Sequence, residues 1–269
     1  MKYILLFLAF CFTLSAQAQY KISSYGISAG VDEDRVQGLS SDYMFESANI
    51  AVPDEVSSIL ENGYAYSMVC ENPYFRGDVA LQNGNKELRL GVYAIINRLD
   101  GISTYGNEEY FDISTFGHEV GLEATHLWRS NKWCGWSIYG GGGGQLGYGF
   151  GNELYAYGSV TSTMAALSFR QNGGTVINGQ TVQSTYQSND FYSDNKVPNT
   201  AHGRAYAMGG ASFNINKIEL TLEGRWGYGF RQNKHAGAVT NLRSFHAGVR
   251  YNLQRPGPCG VDTGASEWK

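Results

Sequence analysis

Hydrophobic and polar residues alternate along most of this chain with a period of two, most cleanly from Ile218 to Phe230. There Ile218, Leu220, Leu222, Trp226, Tyr228 and Phe230 share one parity, and Glu219, Thr221, Glu223 and Arg225 the other. Successive side chains of a strand point to opposite faces, so this segment has an apolar face and a charged face. A soluble sandwich also alternates, with its apolar parity inward. A transmembrane barrel inverts that arrangement, with apolar residues toward lipid and polar ones toward the lumen. Alternation alone leaves the choice open. A leader segment, the strand count and the connection lengths decide it.

Seven other stretches repeat the pattern. Tyr20 to Val31 is the first strand, followed by a long acidic loop from Asp32 to Asn62 with eight carboxylates and one arginine. Tyr64 to Gln82 is the second, with a kink expected at Pro73. Asn83-Gly-Asn-Lys86 marks a tight hairpin, because Asn-Gly accepts the positive φ such turns need. Lys86 to Asn97 is the third strand, residues 98–113 a polar loop, and Ser114 to Trp128 the fourth. A short turn at Arg129 to Lys132 leads into the fifth, Trp133 to Phe150. Gly151 to His202 reads as a long polar loop with a small hairpin near Asn178-Gly179. Gly203 to Ile215 and Ile218 to Phe230 are the sixth and seventh strands, joined through Asn216-Lys217. A loop carrying Arg231, Lys234, His235 and Arg243 precedes the eighth, Ser244 to Leu253.

The count is even, the connections after strands two, four and six are short, and the other four are longer. Short turns on one side and long loops on the other are the rhythm of a closed bacterial membrane barrel. Closure also removes the edges that lipid could not satisfy. The predicted fold is therefore all-β: an eight-stranded antiparallel transmembrane β-barrel with short periplasmic turns and long extracellular loops.

The ends of the chain agree. Residues 1–18 read as a secretory signal peptide, with Lys2, an apolar run from Tyr3 to Leu14 and Ala16-Gln17-Ala18 as cleavage site. Residues 19–255 form the barrel domain, and 256–269 a periplasmic tail. No later window is apolar for long enough to cross a membrane as a helix. The 35 glycines, 19 tyrosines and only five prolines suit twisted strands and aromatic belts. A net charge of −4 gives a nucleic-acid partner no electrostatic support. Three cysteines, Cys70, Cys134 and Cys259, remain after the leader, too few for a disulfide scaffold. Cys134 and Cys259 fall on the same, periplasmic side, which would let them bridge.

Several stretches resemble the small outer-membrane β-barrel proteins of Bacteroidota, with their OmpA/OmpX-like architecture. They are Ala16-Gln-Ala-Gln19, Asn85-Lys-Glu-Leu-Arg-Leu-Gly-Val92, Ser137-Ile-Tyr-Gly-Gly-Gly-Gly-Gly144 and Gly248-Val-Arg-Tyr-Asn-Leu253. The resemblance implies the fold and a cell outer membrane location in a Gram-negative cell, and carries little chemistry.

The polar parity collects Asp78, Glu87, Glu119, Glu123, Glu219 and Glu223 with Arg76, Arg89, Arg204, Arg225 and Arg250. Eight strands enclose a bore just wide enough for side chains to fill, so these charges are expected to pair. A porin-like diffusion pore needs more strands. Trp128, Trp133 and Trp136 near an inner turn, and Trp226, Tyr228 and Phe230 near an outer strand end, fit interface girdles. Gly142-Gly-Gly-Gln-Leu-Gly147 matches a dinucleotide-binding pattern, but that motif must open a helix and here alternation continues on both sides. His118, His126, His202, His235 and His246 have no zinc-ligand spacing, and Asp32-Glu-Asp34 lacks the glycine and alternating ligands of a calcium loop.

No cofactor is expected. The leading functional reading is a non-enzymatic outer-membrane barrel with a structural or surface-interaction role, a monomer touching membrane lipids, lipopolysaccharide and a surface protein or glycan. A narrow channel or ligand conduit is the alternative. A lipid hydrolase is the third, with His126 and Ser130 the nearest base and nucleophile.

Overall fold

The computed structural model describes residues 20–36, 64–67, 71–106, 109–131, 133–159 and 196–253. Ten strands lie in these residues: β1 (Lys21–Val36), β2 (Tyr64–Ser67), β3 (Asn72–Asn83), β4 (Lys86–Gly106), β5 (Glu109–Arg129), β6 (Trp136–Ser159), β7 (Lys196–Val197), β8 (Thr200–Ile215), β9 (Ile218–Gln232) and β10 (Gly237–Asn252). Eight of them close a ring, β1–β3–β4–β5–β6–β8–β9–β10 and back to β1, with every pair antiparallel. β2 and β7 stand outside that circuit, β2 on the far part of β4 and β7 on that of β6.

The register shows how the ring closes. A path from Asp32 through Ser244, Arg225, Met208, Gly141, Leu127, Glu87 and Gln82 returns to β1 at Lys21, eleven residues from its start. That offset is the shear of a closed barrel, and it forces the strands to tilt against the barrel axis.

Parity decides what each face meets. Leu222 is 65% exposed and Ile27 70%, whereas Glu119 between Val120 and His118 is wholly buried. The exterior carries Ile27, Phe75, Val92, Val120, Leu122, Ile138, Leu220 and Val249; the interior carries the carboxylates and guanidinium groups. The fold is thus inverted relative to a soluble barrel.

Two short turns follow from their residues. Gly84 takes φ +58° in the Asn83–Lys86 hairpin, and Asn216 takes φ 55° between β8 and β9, asparagine being among the few side chains that tolerate this region. Glycine also makes room inside. A β-carbon on Gly147, which faces inward from β6, would collide with the Tyr93 hydroxyl and the Glu119 carboxylate. The Gly142–Gly147 stretch lies within the continuous strand β6 and opens no helix.

The structure corrects several boundaries. The expected second strand is two, β2 and β3, both alongside β4. The polar loop expected at 98–113 is mostly paired backbone: β4 and β5 stay in register out to Gly106 and Glu109. β1 likewise continues to Val36, so Asp32-Glu-Asp34 belongs to a strand rather than an acidic loop. β6 runs on to Ser159, β8 begins at Thr200, and β10 begins at Gly237. The long loop expected before the eighth strand is therefore a tight turn. In it Asn233 Oδ1 accepts the backbone N–H of His235 at 2.8 Å and of Ala236 at 2.9 Å. Backbone pairing needs no apolar parity, which is why these extensions escaped a pattern search. The Asn178-Gly179 hairpin, residues 1–18, the tail at 256–269, Cys70 and Cys259 lie outside the described residues; Cys134 is an exposed free thiol.

Gly147→Val is expected to cost about 1–3 kcal/mol by overpacking and to lower the yield of barrel refolded in detergent. Gly77→Val faces outward into open space and should refold like the parent; gel shift on boiling reads both.

Candidate functional site

The polar parities of eight strands converge on one bore. All eleven charged residues singled out by alternation, from Arg76 to Arg250, are buried there. Their pairing forms three tiers built around carboxylates.

The middle tier centres on Glu123. Arg225 reaches it with both terminal nitrogens, at 2.8 and 2.9 Å, and Arg76 donates to it at 2.9 Å. The Tyr74 hydroxyl at 2.6 Å, Gln145 at 2.7 Å and the Thr125 hydroxyl at 3.4 Å complete its shell. Two guanidinium groups on one carboxylate would be unbalanced alone. Arg76 therefore also donates to Glu223 at 2.8 Å and pairs with Asp78 at 3.1 Å. Asp78 in turn takes Arg250 at 2.7 Å.

Toward the short-turn end, Glu223 accepts Arg89 and the Tyr139 hydroxyl. Arg89 also reaches Glu87, which Arg129 approaches from β5. Arg129 then donates to Glu219 at 2.6 Å. Arg89 and Arg129 both stack over the Tyr139 ring, at 4.9 and 4.8 Å, where the face of the ring is negative.

Toward the long-connection end, Glu119 is the hub. Arg204 forks onto its two oxygens at 2.6 and 3.0 Å, Arg98 donates at 2.8 Å, and the Tyr93 hydroxyl at 2.7 Å. His202 Nδ1 lies 3.3 Å from the same carboxylate. Gln145 joins this tier to the middle one, accepting from Arg204 at 3.4 Å. The paired forks match the planar geometry that makes arginine the residue of choice for carboxylates.

Alternation missed part of the site. Arg98 fell in an expected loop, yet a register shift between Ile95 and Arg98, with Asn97 at φ 53°, turns it inward. An extra residue of this kind reverses the parity of everything after it, and no composition rule announces it. Arg129 was assigned to a turn and is the last residue of β5. Arg231 and Asp32, both placed in loops, are buried at strand ends. With these, seven carboxylates and eight arginines line the bore among the described residues, instead of six and five. Tyr139, Tyr206 and Gln145 also belong to the site. Their inward parity was legible, but a tyrosine on an alternating strand fits either face.

Other candidates stand elsewhere. His126 lies on the outward parity of β5, edge-on to Trp128, with its Nε2 3.2 Å from the Tyr20 hydroxyl. The Ser130 hydroxyl donates to the Asn131 carbonyl and accepts the Ile138 N–H, both at 3.1 Å. Base and nucleophile thus sit in separate hydrogen bonds. Trp128, Trp133, Trp136, Trp226, Tyr228 and Phe230 are all exposed on the exterior.

These features define a closed, all-β, eight-stranded antiparallel barrel with a charged interior. Among solved structures, the chain is similar in fold to Neisserial surface protein A, with a TM-score of 0.39 at 8% identity, over 87% of this chain and 99% of that one. It also aligns with Ail, the attachment invasion locus protein of Yersinia pestis, in complex with the heparin analogue sucrose octasulfate. That match has a TM-score of 0.34 at 12% identity, over 86% of this chain and 100% of that one. No family model matches the chain, and no curated protein matches it in sequence.

Glu123→Ala strands Arg76 and Arg225 without their shared partner and is expected to destabilise the barrel by about 3–5 kcal/mol, read as the urea midpoint in detergent. The double variant with Arg225→Ala should lose less than the two single losses combined.

Proposed function

We propose that this chain is an integral outer-membrane barrel, exported by residues 1–18, with a structural or surface-interaction role. The observation that carries the reading is the inversion of the two faces. A band of aliphatic residues covers the exterior while the ionised side chains crowd the interior. In water that arrangement would expose a large apolar surface around the whole molecule, far beyond what a soluble monomer shows. In a bilayer the same band matches an apolar belt about 25 Å tall.

Aromatic residues support the placement. Tyr25, Trp128, Trp136 and Tyr251 are exposed toward the short-turn end, and Phe116, Tyr148, Tyr228 and Phe230 toward the other. Amphipathic rings favour both headgroup layers. Among the described residues no helix is long and apolar enough to cross a membrane; in this reading the strands make the crossing. The β3–β4, β5–β6 and β8–β9 turns then face the periplasm and the opposite end the exterior, where its two long connections, β1 to β3 and β6 to β8, would meet lipopolysaccharide and a surface protein or glycan. The resemblance to Bacteroidota barrels is compatible with this location.

The paired charges favour a filled bore over a conduit. Glu119, Glu123 and Glu223 are each held by several donors from different strands, so an ion entering the bore would have to break several contacts at once. The barrel is then an anchor and a platform rather than a passage.

Leu222→Arg places a charge in the middle of the lipid-facing band and is expected to cost about 2–4 kcal/mol in lipid vesicles. A mature chain that stays monomeric in water without detergent would refute the membrane reading. Planar bilayers carrying the purified protein should stay electrically silent, and steady unitary currents abolished by Glu223→Ala would establish the conduit instead.

A further inference from the structure

The bore has two unlike sides. On the side of β3, β4, β5 and β9 the charged side chains pair with one another, leaving only single nitrogens such as Arg89 Nη2 and Arg225 Nε without a partner. On the side of β1 and β10 several buried polar atoms meet no protein partner: the hydroxyls of Ser28, Ser244 and Thr240, and both ring nitrogens of His246. Thr240, Ser244 and His246 are each 1% exposed and Ser28 8%. All four point inward, and Ser28, His246 and Ser244 are neighbours in register. Ser28 lies opposite Gly248, two residues from His246, which is two residues from Ser244. The His246 ring lies flat on Tyr74, 4.3 Å away, and neither of its nitrogens meets a protein partner.

Buried polar groups are nearly always satisfied, by protein or by ordered water. Inward positions two apart on a strand are separated by roughly 6.6–6.8 Å, more than the ~5.6 Å that two hydrogen bonds through one water reach, so polar atoms at that spacing lean together over one water or are joined by two in file. We propose that the β1–β10 side of the bore is a binding site for a short file of water, held by Ser28, His246 and Ser244. It ends toward the short turns at Arg250, which is engaged by Asp78 and the Ser24 hydroxyl. It ends in the other direction at Leu242, 1% exposed and packed in the cluster with Tyr206 and Met208. Leu242 separates Ser244 from Thr240, so it is an apolar stop between the enclosed water and the outer mouth. The site needs the barrel geometry alone and stands whether or not the barrel spans a membrane.

The test uses the mature chain in detergent micelles. Water-to-protein cross-relaxation by NMR should show long-lived water at the His246 ring protons and the Ser244 amide, and none at the Leu127 or Met208 amides. Absence of water signals at both His246 and Ser244 overturns the proposal. His246→Phe keeps the stack on Tyr74 and removes the partners of the water; unfolding should become about tenfold faster, the loss of one or two hydrogen bonds. A dry orphaned histidine predicts the opposite, slower unfolding, and that result also overturns it. Leu242→Ser should shorten the water residence at Ser244 several-fold. An unchanged residence time would overturn the role of Leu242 as the stop. If a variant does not fold, the parent spectrum alone decides.

Discussion

An ionised side chain shut inside a narrow bore must be met by opposite charge and hydrogen-bond donors, since isolated burial costs far more than a domain can supply. This constraint governs the interior. The central carboxylates take donors from several strands: Glu123 on β5 is reached from β3, β6 and β9, and Glu223 on β9 from β3, β4 and β6. The charged part of the interior is therefore one connected object, and none of β3, β4, β5, β8 and β9 can slide without leaving charges unmatched on others.

Such a network is weak evidence for stability, because desolvation takes back much of what pairing gives. Its contribution is better sought in register. A strand displaced by one residue would turn its charges to the exterior and its aliphatic residues to the bore. In a ring whose strands differ mainly in polar residues, the matched arginines and glutamates distinguish the native alignment from its neighbours. The glycines of β6 belong to the same arrangement. Gly143 and Gly147 leave space that the Tyr206 hydroxyl, the Tyr93 hydroxyl and Glu119 occupy.

How far the sequence revealed this depends on the kind of information involved. The eight barrel strands and the inward parity of Glu119, Glu123, Glu223 and Arg225 follow from alternation, which a two-faced wall imposes on every strand that carries it. Strand ends were read poorly for the same reason. Where β4 continues past Asn97 and β5 begins ahead of Ser114, the two strands keep their backbone pairing, and a ladder of this kind imposes no side-chain pattern of its own. Arg98 illustrates a third limit. Its direction depends on one extra residue at Asn97, a backbone event invisible to a count of side chains. The pairing itself could not be read at all, because it joins distant residues: Arg76 bridges to Glu223, 147 positions away, and Arg250 pairs with Asp78 on the other side of the ring closure.

The strands of the barrel are unequal, with consequences at its mouth. β4 and β5 have 21 residues each and β6 has 24, against 12 in β3 and 15 in β9. At about 3.3 Å per residue, the ladder of β4, β5 and β6 stands well above the opposite rim, and β2 and β7 broaden it by pairing along its sides. The barrel is a lopsided tower whose parapet is cross-braced backbone on one flank. Any contact made there would meet backbone already paired in a sheet, so little chain would have to be ordered on binding.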